Sequence, residues 1–539
     1  MIRQKIHRPE ISLERGKAAP PGYYASNLSF VVDFVLSRNS HLIAFTHLTG
    51  LTAFVGLSEP AKRLFSRLLI RRGPVFLVSS LSYEEIPDLT SAIRELEASG
   101  LVDSKGVSGE ALLRKLTKDQ ICDGFPLVQR SPTKKMLIAQ ILSNYSDQRI
   151  IDIVNRFHPW IRIANSETWT LLRILFFGNR HRDWSSFITE DLGQTKWEEV
   201  LLTGPLFEDA GQFSTHLRLM KLSELSKRCK DHMGLASEIS AELTQLEQKN
   251  RNDRYFTKTA LALGKFFERQ ASWKEAIAIY DLIKVHPARE RQIRIYKKLR
   301  NDRQRDVLLN EILVNPYSAL ELQFAKRMVG EKSKLPPTSV EKLNGKQDSI
   351  ENYAMKHFFC SAKWIMHCEN AFFRALVGLI YWPAIFAPLR SAFTNPYQAA
   401  PNDLFHEGFF IDREQLIEGL EHQLSDDASF LQHVTGVYQE KQGISNRLVS
   451  WSLFERISIE EWLKAIPVQV LRNVSSFLIR NLSDFKSGIP DLFVCYGEEE
   501  FELVEIKGPT DRLQPQQQAW FDVFPELGIP ARVLKFQYE

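Results

Sequence analysis

Cysteine is scarce: there are five in 539 residues, at Cys122, Cys229, Cys360, Cys368 and Cys495, and none falls into a paired spacing. That excludes a disulfide-built scaffold and a cysteine zinc site, and it fits a reducing, cytosolic compartment. Long apolar runs are also missing. The most membrane-like stretch, Ala375 to Leu389, is uncharged but shorter than the ~20 residues a span requires, and Pro383 and Pro388 interrupt it. It is expected to be a buried helix running into a turn. Met1 to Pro20 is polar and basic with no apolar core, so no secretory signal is expected there. Net charge is small as well, at +4, and by itself favours no class of partner.

What is present is length, ordinary globular composition and an uneven charge distribution. A chain of this size exceeds one hydrophobic core, and roughly three or four domains are expected. Residues 401–539 hold 12 Lys/Arg against 23 Asp/Glu, whereas residues 1–400 hold 57 against 42. An acidic end with a basic remainder suits an enzyme with a carboxylate-rich metal site and its phosphate grip elsewhere, although solvated surface of either sign gives the same numbers.

In Ala61–Leu69 the apolar residues Ala61, Leu64, Phe65, Leu68 and Leu69 recur at helix spacing, and Gly73-Pro74 ends the element. Arg63, Arg67, Arg71 and Arg72 occupy other faces, either as solvated charge or as a phosphate contact strip. Val75 to Val78 is a short apolar run, Pro87 to Ser99 reads as a helix, and Glu110 to Gly124 as two short helical pieces. Lys115, Lys118, Lys134 and Lys135 flank those pieces, as a small phosphate-gripping module requires; solvated surface is again the alternative. From about Trp169 to Ser349 the pattern is mostly helical. Leu263-Gly264, Phe267, Trp273, Ala276 and Tyr280 match one tetratricopeptide hairpin, with Pro287 after it, which predicts a scaffold or a groove for protein partners. Glu331 to Gln347 reads as an exposed linker, and Tyr353 to Trp382 as an apolar helical segment.

The chemistry is concentrated near the end. Gly488-Ile489-Pro490-Asp491-Leu492-Phe493-Val494 and Phe501-Glu502-Leu503-Val504-Glu505-Ile506-Lys507-Gly508 are two strand-like runs joined through Tyr496-Gly497. Strand side chains alternate, so Glu505 and Lys507 share a face, and Asp491 lies beside them. Hydrolysis of a phosphodiester at such a site uses a hard divalent cation held by carboxylates, here Asp491 and Glu505, with the Ile506 carbonyl as a further oxygen. Lys507 would orient the attacking water and stabilise developing negative charge. After the strand, Asp511 is expected to cap a helix on which Gln517 and Trp520 share a face, Gln517 toward the site and Trp520 in the core.

Pro-Asp, a hairpin and Glu-x-Lys together resemble the restriction-enzyme-like nuclease superfamily. Gly-Ile-Pro-Asp-Leu (488–492) and Val-Glu-Ile-Lys-Gly-Pro-Thr-Asp-Arg-Leu (504–513) are similar to the VRR-NUC domain of the Fanconi-associated nucleases. The likeness extends upstream through His367-Cys368-Glu369, Phe409-Phe410-x-x-Arg413, Leu448-Val449-Ser450-Trp451 and Tyr83-Glu84-Glu85-Ile86, and the chain looks like a bacterial member. The resemblance implies a helical N-terminal domain (1–74), a SAP-like DNA-binding domain (75–168), a tetratricopeptide-like domain (169–351) and a VRR-NUC domain (352–539). The implied fold class is multidomain and mainly α, ending in an α/β restriction-endonuclease-like domain. The implied activity is a structure-selective DNA nuclease that cuts near 5′ flaps and degrades 5′ to 3′ with one or two Mg²⁺ or Mn²⁺ ions, in repair of interstrand crosslinks. A junction resolvase and a non-catalytic repair scaffold are the alternatives.

The resemblance also implies a fourth acidic residue, Glu369. Ile365, Glu369, Phe372, Phe373 and Leu376 follow a helical period, which predicts Glu369 on the inward face of a helix, with Glu407 as its rival. Asn370 stands where the family has Gly. Some relatives hold a 5′ phosphate with basic residues that fall near Ser483 and Gln516; both are uncharged here, while Lys486 is retained.

Overall fold

The computed structural model describes residues 22–538, except 72, 74, 126–132, 179–183, 185–194, 230–231, 247, 249–252, 332–335, 344–349 and 359–360. Arg72 and Cys360 therefore lie outside the described residues. The chain divides into two compact units: 1–196 with 201–210 and 394–396, and 197–200 with 211–393 and 397–539.

The first unit begins with helices α1 (Tyr23–Asn39), α2 (Phe45–Val55) and α3 (Glu59–Ile70). Ser58 caps α3 by accepting from the Ala61 N–H, and Pro60 sits in its first turn, where its missing N–H costs nothing. Of the predicted stripe, Ala61, Leu64, Phe65 and Leu68 are buried and Leu69 is half-buried, and Phe65 packs with Phe54 and Trp169 at ring-centroid distances of 5.8 and 4.6 Å. After strand β1 (Val75–Leu77) come α4 (Leu89–Ala98), β2 (Val102–Asp103), α5 (Gly109–Lys115) and α6 (Lys118–Gly124). A capping box between Thr117 and Gln120 starts α6. Two further helices, α7 (Lys134–Asn144) and α8 (Asp147–Phe157), close a core around Leu112, Leu113, Ile121, Leu137 and Ile150. Strand β3 (Trp160–Ile163) pairs antiparallel with both β1 and β2. That small sheet is not legible in the sequence, because its strands are two to four residues long.

In the second unit the expected helical hairpin is α9 (Arg254–Arg269) and α10 (Trp273–Tyr280). A Cβ on Gly264 would meet the Tyr280 ring at 2.3 Å, so glycine is what lets the two helices touch. The Tyr280 hydroxyl donates to Glu268 across the pair at 2.6 Å. Three more helices, α11 (Ala288–Lys298), α12 (Asp302–Val314) and α13 (Ala319–Met328), extend the array.

The linker expected over 331–347 is in part a strand, β4 (Thr338–Leu343). It pairs parallel with the last strand, almost two hundred residues later, and that long-range pairing overrides its loop-like composition. Likewise, the apolar segment 353–382 is not one helix. It comprises α14 (Ile350–Phe358), β5 (Trp364–His367) and α15 (Ala371–Ile380). The helix and turn expected over 375–389 are present and buried, and among the described residues no helix is long and apolar enough to cross a membrane. Helix α16 (Val468–Arg480), strands β6 (Leu492–Gly497) and β7 (Glu500–Lys507), helix α17 (Pro515–Leu527) and strand β8 (Ala531–Tyr538) follow toward the end of the chain. The five-stranded sheet has the order β4-β8-β7-β6-β5. Strands β5, β6 and β7 run antiparallel in turn, while β8 is parallel to β7.

Candidate active site

The β6–β7 hairpin forms as the alternation predicts. Leu492 pairs with Val504, so Asp491 and Glu505 meet at the end of the ladder. The segment entering Asp491 is held from several sides. Gly488 has φ +97°, and a Cβ there would come within 2.9 Å of the Gln516 backbone. The Ile489 N–H donates to Asn370 Oδ1 at 3.0 Å, and Trp520 Nε1 donates to the Ser487 carbonyl at 3.1 Å. Asn370, where the family pattern has glycine, thus pins the loop that carries Asp491. The Cys368 and Glu369 N–H groups both donate to the Asp491 carbonyl, at 3.1 and 3.2 Å.

Asp491 Oδ2 accepts from the Ile506 N–H at 2.9 Å. Burial pushes this carboxyl above its ordinary range, and the Ile506 N–H and Lys507 oppose the shift. Glu505 is 1% exposed. Its Oε1 accepts from Lys507 Nζ at 2.6 Å and from Gln517 Nε2. Its Oε2 is buried with no hydrogen-bond partner among the described residues. Burial and the neighbouring Asp491 raise the Glu505 carboxyl to about 7, against the opposing pull of Lys507 and Gln517. Lys507 also donates to Gln517 Oε1 at 3.1 Å, so strand and helix share one network as the spacing predicts. Trp520 is fully buried, in the core as expected. Asp511 does not cap the helix: Gln514 does, in a reciprocal pair with Gln517, and Asp511 accepts from the Gly508 N–H at 2.9 Å instead.

Glu369 reaches this cluster by a different route from the one its periodicity predicts. It is not on a helix face but in the turn between β5 and α15, exposed, with φ +38°. The apolar period is real for Phe372, Phe373 and Leu376 on α15, but Ile365 belongs to the preceding strand. Ligand atoms of Glu369, Asp491 and His367 nevertheless lie within 4.8 Å of one another. Glu407, the rival, is exposed and is not part of that group among the described residues.

The donor set fits a divalent cation. A buried carboxylate oxygen without a partner is costly unless a cation or proton supplies one. Glu505 Oε2 is such an atom, and the carboxyls of Glu505 and Asp491 are both raised, first by burial, with the charge of Asp491 adding to the shift of Glu505 and that of Glu369 to the shift of Asp491.

The basic residues are less uniform. Arg67 pairs with Glu85 at 2.7 Å and lies 4.2 Å over the Tyr24 ring, and Arg63 donates to the Glu85 carbonyl at 3.1 Å. Arg71 is exposed, 5.5 Å over the Tyr83 ring. The expected strip is therefore partly occupied by internal contacts. Lys134 donates to the Arg114 carbonyl at 2.7 Å, whereas Lys115 and Lys135 are exposed and Lys118 is half-buried. Lys486 is exposed, with Nζ 5.2 Å over the Phe405 ring.

The VRR-NUC domain family model matches residues 427–537, and the FAN1, HTH domain model matches residues 22–103. A Fanconi-associated nuclease 1 homolog of Pseudomonas aeruginosa is 26% identical over 540 residues, 95% of each chain. The Arabidopsis thaliana homolog is 25% identical over 600 residues, covering 95% of this chain and 66% of that one. Fanconi-associated nuclease 1 of Mus musculus is 34% identical over 173 residues, 31% of this chain. The fold is shared with the crystal structure of paFAN1 bound to 2nt 5′ flap DNA with gap, at a TM-score of 0.82 and 24% identity, over 97% of this chain and all of that one. With residues 22–103 and 427–537 matched by the two models and 95% of the chain by a bacterial relative, this protein is similar throughout to the Fanconi-associated nucleases and is a DNA nuclease with a VRR-NUC domain.

Proposed function

We propose that this chain is a structure-selective 5′-flap endonuclease and 5′–3′ exonuclease, working with Mg²⁺ or Mn²⁺ in repair of lesions such as interstrand crosslinks. The observation that carries the catalytic reading is Glu505: fully buried, with one oxygen unpartnered, between Asp491 and Lys507. Asp491, Glu505, Glu369 and the Ile506 carbonyl would hold the cation. Bound there, it would polarise the scissile phosphate and acidify a water molecule. Lys507 would release its hold on Glu505 Oε1 to orient the attacking water and stabilise charge on the phosphate. Gln517 bonds both residues and keeps the lysine aimed. The flap preference rests on the shared fold of a protein crystallised with 5′-flap DNA.

The four-domain division at 74/75, 168/169 and 351/352 is part of the same proposal, with β4 contributed to the nuclease sheet from before residue 352. So are a phosphate grip by Lys115, Lys118, Lys135 and Lys486, protein partners on the helical array, a monomeric state and a cytosolic setting. Cleavage-site mapping on labelled 5′-flap, nicked, gapped and four-way-junction DNA tests the substrate. Cuts near the 5′-flap junction are expected. Preferential, symmetric cleavage of the four-way junction would favour a resolvase, and no cleavage of any substrate would favour a scaffold.

A further inference from the structure

We propose that His367 is a direct ligand of the catalytic metal ion, giving the site a mixed imidazole and carboxylate donor set that favours Mn²⁺ over Mg²⁺. The proposal rests on the metal-dependent nuclease reading and deepens it. His367 is the last residue of β5 and pairs with Leu492, the neighbour of Asp491. Its ring makes no hydrogen bond among the described residues, and it is exposed, so no internal contact fixes it elsewhere. The left-handed turn at Glu369, two residues on, brings that carboxylate back beside the ring: donor atoms of His367, Glu369 and Asp491 fall within 4.8 Å of one another. Donors on one small divalent ion with bonds of roughly 2.1 Å lie roughly 3 to 4 Å apart, so small rotations close the set around an ion. A second, independent feature adjoins Asp491, one member of the set. The unpartnered Oε2 of Glu505 is buried where that carboxylate and Asp491 repel.

The ring is also reachable. His367 and Glu369 line a cavity of about 590 Å³ together with Asn352 and Arg456. A nitrogen donor changes what the site prefers. Mg²⁺ is bound by oxygen ligands and waters, whereas imidazole is a good ligand for transition ions. A set containing His367 should therefore discriminate between Mn²⁺ and Mg²⁺ more strongly than carboxylates alone.

The test uses the full chain with Mn²⁺ alone, read by electron spin-echo modulation, together with Mn²⁺ and Mg²⁺ affinities by calorimetry. Coupling to a directly bound nitrogen is expected in the parent protein. In His367→Gln it should be absent while Mn²⁺ still binds, and the affinity ratio of Mn²⁺ to Mg²⁺ should fall about 10-fold or more, the scale on which even outer partners of metal ligands act. His367→Ala, with thermal melts in EDTA to confirm folding, gives a second variant. Mn²⁺ bound to the parent without nitrogen coupling, or coupling that persists in His367→Gln, would overturn the assignment. Asp491→Ala separates the two levels of the argument. If it binds Mn²⁺ as tightly as the parent, the ion is not at this site and the nuclease reading fails as well.

Discussion

The buried carboxylate of Glu505 makes the metal-free protein sensitive to pH in a definite direction. Its folded-state value is about 7, against about 4.5 for an exposed glutamate. The folded state therefore holds the proton more tightly than the unfolded chain. This stability is fully present below about pH 4.5 and is lost as pH rises through about 7. At roughly 1.4 kcal/mol per unit, ionised Glu505 burdens the metal-free fold by at most about 3 kcal/mol at pH 8. Glu505→Gln keeps the shape and the bonds to Lys507 and Gln517 while removing the charge. In EDTA, its stability relative to the parent should be near zero at pH 4.5 and grow to about 1–3 kcal/mol at pH 8, an upward shift of several degrees in Tm. Mn²⁺ should then raise the Tm of the parent and leave that of the variant nearly unchanged. Thermal melts by circular dichroism across pH 4.5–8, with EDTA and with Mn²⁺, read both effects. A variant no more stable than the parent at pH 8 in EDTA would refute the claim that Lys507 and Gln517 only partly compensate the buried charge of Glu505.

Gly264→Ala places a methyl group where the Tyr280 ring stands, 2.3 Å away, and should destabilise the helical array by about 1–3 kcal/mol in urea melts. A destabilisation below about 0.5 kcal/mol would mean that the two helices do not approach so closely. Replacing both Lys115 and Lys135, which are exposed, should weaken DNA binding and lower its salt slope by about one for each phosphate no longer neutralised. Arg67→Ala, by contrast, should mainly cost stability, because Arg67 is engaged with Glu85 and Tyr24. Equal salt slopes in parent and double variant, measured by fluorescence anisotropy, would remove those lysines from the grip.

The parts of the site that were legible in the sequence are those built by local rules. Asp491, Glu505 and Lys507 follow from strand alternation across one hairpin, and Gln517 from the helix that packs directly after it. Glu369 was legible as a residue but not as a position. Apolar periodicity runs unbroken across a strand, a turn and a helix, and it cannot register the single left-handed residue that interrupts them. Strand β4 was unreadable for another reason. Its own composition is that of a loop, and only pairing with β8 at the far end of the chain makes it extended. The arginine strip shows the same limit for charge, since Glu85 and Tyr24 come from other elements to occupy Arg67. His367 was visible within a family-like tripeptide, but its proximity to Asp491 depends on the β5–β6 register.

The most direct test of the central claim is cleavage of labelled 5′-flap DNA by Asp491→Ala in Mg²⁺ or Mn²⁺, with binding of the same DNA measured in parallel. Loss of cleavage by about 100-fold or more is expected, the scale on which removal of one group that stabilises transition-state charge acts. DNA affinity should stay within a fewfold of the parent, because the proposed phosphate grip is made by other residues. Cleavage at the parent rate would contradict the assignment of the site.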